Sequence, residues 1–433
     1  MNEMSESLVN WDAYLQVASI SDVGMRRTTN QDNLCLSPAS NLEQWQKRGH
    51  LFIVADGMGA HAAGELASKL AIDHIPHLYS KYENLPITDA LRKAVEEANS
   101  EIYRRGQANE EFHNMGTTCS VLTLLPQGAV AAHVGDSRIY RLRKNRLEQL
   151  TFDHSLVWEM EANGQLTSEE ERKKIPKNVI TRSLGPCAEI QVDLEGPFPV
   201  EVGDTFLLCS DGLTGPVSDA EIGALLANLH PEEAVKVLVD LANLRGGPDN
   251  ITIVVAKVMH PQLVTTDTKF RSRDNKKSPL LNPITFGIFG IALLLTILFL
   301  FLSDNWIAAL IPGIVTVGAL IWGVVQLAHG LGSESKDSIG TALGKGPHTK
   351  IDCASPSGVV EQLRSITDQL KAGAEKQTWP IDFDQMKKML AASNQAADQK
   401  DFPKAIKRFS LTISWLMDQL RTNNEASSSS IDL

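Results

Sequence analysis

Residues 119–137 read Cys119-Ser-Val-Leu-Thr-Leu-Leu125-Pro126-Gln-Gly128-Ala-Val-Ala-Ala-His-Val134-Gly135-Asp136-Ser137. Two apolar runs flank a Pro-Gln-Gly step, which is turn chemistry, so the stretch predicts an antiparallel hairpin. The second run ends on Gly-Asp-Ser. Outward from it the same signature recurs. Leu51-Phe-Ile-Val-Ala55 ends on Asp56-Gly57, and Thr205-Phe-Leu-Leu-Cys-Ser210 ends on Asp211-Gly212. Ile251-Thr-Ile-Val-Val-Ala-Lys-Val258 follows Asp249-Asn250. Helical segments intervene at 64–79, 87–106, 218–229 and 231–244. Hairpin-like strands with paired helices predict the α+β class, antiparallel sheets flanked by helices, rather than a parallel βαβ sheet.

The 433 residues are 43% hydrophobic and 21% charged, which excludes wholesale disorder and fibrous classes. A formal charge of −11 argues against a general nucleic-acid binder, which needs a basic face. The five cysteines, Cys35, Cys119, Cys187, Cys209 and Cys353, lie far apart with no CxxC pair, so neither a zinc knuckle nor a disulfide framework is expected. The first residues lack a basic segment followed by an apolar run, so no secretory signal is expected.

Any one aspartate at a strand end has an ordinary reading as turn residue or helix cap. Asp32, Asp56, Asp136, Asp211 and Asp249 together are different, because each sits beside Gly, Asn or Ser at the end of an apolar strand. A sandwich brings strand ends together. Carboxylates gathered there repel one another unless cations neutralise them. Oxygen donors without a Cys or His set select Mg2+ or Mn2+ over zinc.

The second half of the chain changes character. Residues 284–302 and 306–328 carry no charge, each long enough to span a bilayer core of roughly 30 Å. Lys269, Arg271, Arg273, Lys276 and Lys277 precede them. The expectation is a transmembrane helical hairpin over 284–328, placing the protein in the inner (cytoplasmic) membrane with both large flanks cytoplasmic. The expected organisation is a catalytic domain at 1–262, a basic juxtamembrane linker at 263–283, the hairpin, and a flexible linker at 329–356. A helical interaction module at 357–421 and a disordered tail at 422–433 follow. Val359, Leu363, Ile366 and Leu370 recur at helical spacing, as do Met386, Leu390, Ser393 and Ala396, then Ala405, Ile406, Phe409, Ile413 and Leu416. Three amphipathic helices follow, expected to be an all-α module independent of catalysis that packs on itself or binds partners.

A more specific likeness emerges from eight stretches in order: Ser21-Asp22-Val-Gly24-Met-Arg-Arg27-Thr-Thr-Asn30-Gln31-Asp32-Asn33, Val54-Ala-Asp56-Gly57-Met58-Gly59-Ala60, Met115-Gly116-Thr117-Thr118, Val134-Gly135-Asp136-Ser137-Arg138, Thr151-Phe-Asp153-His154-Ser155, Ile180-Thr181-Arg182-Ser-Leu184-Gly185, Cys209-Ser210-Asp211-Gly212-Leu213 and Gly247-Pro-Asp249-Asn250-Ile-Thr252. Over residues ~14–258 the chain resembles the metal-dependent protein Ser/Thr phosphatases of type 2C, the PPM family, in their bacterial form. The resemblance implies an αββα sandwich of two antiparallel sheets with two Mn2+ or Mg2+ ions at one end, and a third, weaker site. Asp56 would bridge the ions with the Gly57 carbonyl, Asp211 and Asp249 completing the set. Asp32 would act mainly through metal-bound water, Asp136 and Asp211 would serve the third ion, and Arg27 would clamp the substrate phosphate. The catalytic residues would be Arg27, Asp32 and Asp56. The reaction expected is hydrolysis of phosphoserine and phosphothreonine in cytoplasmic proteins, by direct attack of a hydroxide bridging the ions. The partners implied are phosphorylated proteins, a cognate Ser/Thr kinase or its substrates, and the membrane, with no nucleic acid. Met58 stands where some members have a general-acid His, and Gln31 where many have Glu. The alternative reading is a non-catalytic phosphoprotein-binding regulator, or a membrane scaffold acting through the C-terminal helices.

Overall fold

The computed structural model describes residues 11–60, 62–166, 171, 174–176, 179–265, 271–272, 338–339, 343–354, 356–377, 379 and 381–429. The chain divides into two compact units, Met1–Phe270 with Ala342–Leu433, and Arg271–Thr341. In the second, the described residues are a short antiparallel pair, Arg271–Ser272 with Ser338–Ile339.

The larger unit holds two antiparallel sheets. The first is ordered β1 (Leu15–Asp22), β11 (Ile251–Val258), β10 (Thr205–Cys209), β7 (Arg138–Arg143), β8 (Arg146–Gln149) and β14 (Thr349–Asp352), β12 and β13 being the pair of the smaller unit. The second is ordered β2 (Asp32–Ser37), β3 (His50–Met58), β5 (Cys119–Leu125), β6 (Gly128–Val134) and β9 (Asp193–Phe198), with β4 (Gly116–Thr117) against the end of β3. The predicted hairpin is β5–β6, with Leu125 opposite Gly128.

Strand alternation explains the layers. Phe52, Val54, Leu122, Leu124, Phe206, Leu208, Val254 and Ala256 point between the sheets and form one core. Their neighbours Ile53, Ala55, Val121, Val130 and Ala132 face outward against α2 (Ala63–Lys81) and α3 (Ile87–Ala108). Leu207, Cys209, Ile253 and Val255 face the opposite way. With the central strands β3, β5, β6, β10 and β11 buried on both faces, their runs read as continuously apolar rather than alternating. A short α1 (Leu42–Arg48) precedes β3, and α4 (Leu156–Ala162) follows β8. On the other outer face lie a one-turn α5 (Asp211–Thr214), α6 (Asp219–Asn228) and α7 (Pro231–Leu244). A Ser218–Glu221 capping box starts α6, and Pro231 occupies the first turn of α7.

The C-terminal helices α8 (Ser357–Gln377), α9 (Phe383–Asp398) and α10 (Phe402–Ser429) follow the predicted stripes. They do not stand apart. Leu363, Met386, Ile406, Phe409, Ile413 and Leu416 share one core with Leu225, Leu238, Leu241 and the outer face of the first sheet. Thr349–Asp352, placed by composition in a flexible linker, is an edge strand paired with β8. Just before it Leu343 bridges Gly196, and Glu195 takes hydrogen bonds from Gly346 N at 2.8 Å and pairs with His348 at 3.0 Å. Residues 343–353 thus lie along one edge of each sheet, pairing with β8 and bridging β9, where backbone groups would otherwise be unpaired.

The expected transmembrane hairpin, and with it the inner-membrane placement, is corrected. No helix among the described residues is long and apolar enough to cross a membrane. The longest of them, α10, carries Lys404, Lys407, Arg408, Asp418 and Arg421, and its apolar stripe is buried against protein. Residues 284–328, on which the expectation rested, lie outside the described residues.

Candidate active site

The five aspartates singled out in the sequence all lie at strand ends on one edge of the sandwich. Asp32 begins β2 directly opposite Asp56 near the end of β3. Asp136 leaves β6, Asp211 follows β10, and Asp249 precedes β11. The backbone around them is packed too closely for side chains. A Cβ on Gly57 would lie 2.1 Å from the Gly64 carbonyl oxygen, and one on Gly212 would lie 1.9 Å from that of Asn250. These glycines let α2 and the Asp249–Asn250 loop approach the strand ends.

Neighbouring side chains tie these strand ends together. Ser210 Oγ donates to Asp32 Oδ2 at 2.7 Å and accepts from Thr252 N at 3.0 Å. Thr118 N and Thr117 Oγ1 donate to the Asp56 carbonyl at 2.8 and 3.0 Å, and Asp56 N donates to Thr118 Oγ1 at 2.9 Å. Thr118 Oγ1 also meets Ser137 Oγ at 2.7 Å, joining the Asp56 and Asp136 strand ends. Asn250 ties the last two pieces together. Its Oδ1 accepts from Gln31 N at 2.9 Å, and its Nδ2 donates to the carbonyls of Val23 and Thr29 at 2.9 and 3.0 Å. Arg27 Nη2 donates to Asp249 Oδ2 at 2.8 Å while half of its side chain stays exposed.

The electrostatics record how close the cluster is. Burial raises the Asp56 carboxyl well above its ordinary range, and Asp32, Asp211, Asp136 and Asp249 push it further. Asp136 rises to about 7, from burial and then repulsion by Asp211 and Asp153. Asp32 rises to about 6 through burial, held back by its hydrogen bonds from Ser210 and Thr252. Asp211 is raised by burial and by Asp249. A metal-free cluster of this kind retains protons that a cation would displace.

Among the described residues no group of three or more His, Cys, Asp or Glu side chains stands arranged to hold a metal ion. The donors nonetheless fit hard dications. Asp32 Oδ1 and Asp136 Oδ1 are buried without a hydrogen-bond partner. Orphaned carboxylate oxygens in a ring of like charge cost free energy that a cation recovers. Asp32, Asp56, Asp136, Asp211, Asp249 and the Gly57 carbonyl are the groups available to hold such ions.

Sequence reasoning missed Ser210, Thr252 and Thr118 as supports, since Ser and Thr beside a strand end carry no distinctive pattern. It also missed a buried relay behind Asp136, where Gly135 N donates to His154 Nδ1 at 3.0 Å and His154 Nε2 meets Asp193 at 2.9 Å. The motif Phe152-Asp153-His154 was the available signal.

A two-sheet sandwich whose strand ends gather carboxylates has the makings of a metal-assisted hydrolase. The family model described as protein phosphatase 2C matches residues 26–242. The chain is 37% identical over 250 residues to the protein phosphatase PhpP of Streptococcus pneumoniae, an alignment covering 56% of this chain and 98% of that protein. It is 35% identical over 242 residues to the serine/threonine phosphatase stp of Listeria monocytogenes, covering 55% and 93%. Among solved structures, the serine/threonine phosphatase PstP/Ppp of Mycobacterium tuberculosis matches with a TM-score of 0.51 and 35% identity, covering 57% of this chain and all of that one. The chain belongs to the protein phosphatase 2C family and is a metal-dependent protein serine/threonine phosphatase. Proteins of this family use Mn2+ or Mg2+ and act on phosphorylated proteins.

Proposed function

We propose that the chain hydrolyses phosphoserine and phosphothreonine in proteins at the Asp56 cluster. Asp56 and the Gly57 carbonyl, with Asp211 and Asp249, would hold a pair of Mn2+ or Mg2+ ions. Asp32 would contribute chiefly by accepting hydrogen bonds, and Asp136 would serve a third, weaker ion. When bound, such ions would supply the Lewis acidity that activates water for in-line attack on phosphorus.

The protein's own residues do the rest. Ser210, itself held by Thr252 N, fixes one oxygen of the Asp32 carboxylate and leaves the other buried without a partner. Arg27, half exposed and resting on Asp249, would turn its fork onto the oxygens of an incoming phosphate. Charge building on those oxygens is what that guanidinium would stabilise. No cysteine nucleophile is needed, and burial pushes the Cys119 thiol to about 12, away from thiolate chemistry. A Ser/Thr kinase must supply such phosphoproteins, so a kinase or its substrates are the natural partners.

The observation that carries the reading is the set of mutually raised carboxylates with two orphaned oxygens. The test is hydrolysis of p-nitrophenyl phosphate as Mn2+ is titrated, for the parent and Asp211→Asn. The reading expects saturable Mn2+ dependence in the parent and a loss of several orders of magnitude in the variant. Parental turnover in Asp211→Asn would sink it.

A further inference from the structure

Asp240 lies on α7, one turn before the loop that carries Asp249 and Asn250, and takes no part in the aspartate cluster. Its side chain is fully buried. Both oxygens are satisfied from the C-terminal helix: Ser414 Oγ donates to Oδ2 at 2.7 Å and Arg421 Nη2 to Oδ1 at 2.7 Å. A buried carboxylate held by charge-assisted bonds on both oxygens makes a stiff joint between two helices.

From that joint the contacts run on to the site. Asn243, in the last turn of α7, donates to Asp22 Oδ1 at 3.1 Å, and the same oxygen accepts from Gly24 N at 2.8 Å. The Gly247 carbonyl accepts from Met25 N at 3.0 Å and Arg26 N at 3.2 Å. The next residue of that loop is Arg27, which rests on Asp249. The end of α7 therefore sets both the Asp249–Asn250 loop and the Arg27 loop.

We propose that Asp240 is a positioning residue for the metal site, through which α10 fixes the last turn of α7 and so the placement of Asp249. The proposal rests on the functional reading given above. The matched half of this chain covers almost the whole length of the compared relatives, so their similarity does not extend to α8–α10. The alignments with those relatives therefore offer no counterpart to the Asp240–α10 joint.

The other end of α7 supplies a comparison. Glu233, in its first turn, pairs with Lys407 of α10 at 3.5 Å. Breaking that pair loosens the same interface far along the helix from the loop. Full-length Asp240→Asn, Ser414→Ala and Lys407→Ala would be compared with the parent by calorimetric Mn2+ titration without substrate, and by melting in EDTA. Turnover against Mn2+ concentration completes the set. Asp240→Asn and Ser414→Ala should bind Mn2+ roughly three- to tenfold more weakly, with kcat at saturating Mn2+ within roughly twofold of the parent. Lys407→Ala should bind Mn2+ as the parent does. Parental Mn2+ affinity in Ser414→Ala, with only melting lowered, overturns the proposal, because α10 then merely stabilises. If Asp240→Asn does not fold, Ser414→Ala decides alone. A parent whose turnover ignores Mn2+ fails the functional reading itself and takes this proposal with it. A Mn2+-dependent parent with unshifted variants fails only the brace.

Discussion

Asp32 and Asp56 stand directly opposite each other across the β2–β3 ladder, and both carboxyls are pushed above their ordinary range. Like charges at facing positions of a ladder are destabilising. The fold accepts this cost where β2 begins and β3 ends, with Ser210 clamped between Asp32 and Thr252. That is the expected signature of a site whose stability is completed by cations.

The cost has a pH dependence with a definite sign. Asp32 and Asp136, near 4 in an unfolded chain, rise to about 6 and about 7 in the fold. A raised folded value means that their contribution to stability is fully present below about pH 4 and is lost as pH climbs through 6 to 7. The metal-free protein should therefore lose stability over that window. Mn2+ should raise the melting temperature little at pH 5 and much more at pH 8, expelling protons as it binds. Calorimetry in buffers of different ionisation enthalpy counts those protons. A Mn2+ stabilisation independent of pH between 5 and 8 would contradict this.

Ser210→Ala removes the donor to Asp32 and the acceptor for Thr252 N. Supports of this kind typically change metal affinity by roughly 10- to 100-fold when lost. The expectation is a higher Mn2+ requirement with little change in the melting of the metal-loaded protein. Mn2+ titration of turnover measures it, and an unchanged half-saturating concentration would show that Ser210 is only packing.

Arg27→Ala should lower kcat/KM for phosphopeptides by more than it changes Mn2+ affinity, because its exposed fork is free to leave Asp249 for phosphate. Arg27→Lys should not restore the loss, since an ammonium cannot make the paired contact. Equal kcat/KM in Arg27→Lys and the parent would argue for simple charge.

Phe409, fully buried in α10, shares its core with Leu225 and Leu238 of α6 and α7. Phe409→Ala should cost about 3–5 kcal/mol and lower one common melting transition of sandwich and helices. Two transitions, with the sandwich unmoved, would mean that the helices fold by themselves.

Much of the sandwich was legible because its central strands are short apolar runs bounded by Asp-Gly, Asp-Ser or Asp-Asn, and because both faces of those strands are buried. The aspartates were legible for the same reason. β14 was not, since Thr349–Asp352 alternates between half-buried and exposed and sits among Gly, Lys and His. The stripes of α8–α10 are legible at helical spacing, but a stripe does not say what it faces. They share their core with residues of α6 and α7, so the expected independence of the module is not what the packing displays. The expected hairpin failed on a different ground, for two uncharged runs say nothing about the helices the fold builds elsewhere. The resting contact of Arg27 on Asp249 is one that residue spacing cannot reveal.

The most direct measurement is phosphate release from a phosphothreonine peptide by the full-length protein, stripped with EDTA and then resupplied with Mn2+, beside Asp56→Asn treated identically. The account predicts no release after stripping, full recovery with Mn2+ in the parent, and no recovery in Asp56→Asn at any Mn2+ concentration. Release that persists in EDTA, or that Asp56→Asn sustains at the parental rate, would contradict the assignment of the aspartate cluster as the catalytic centre.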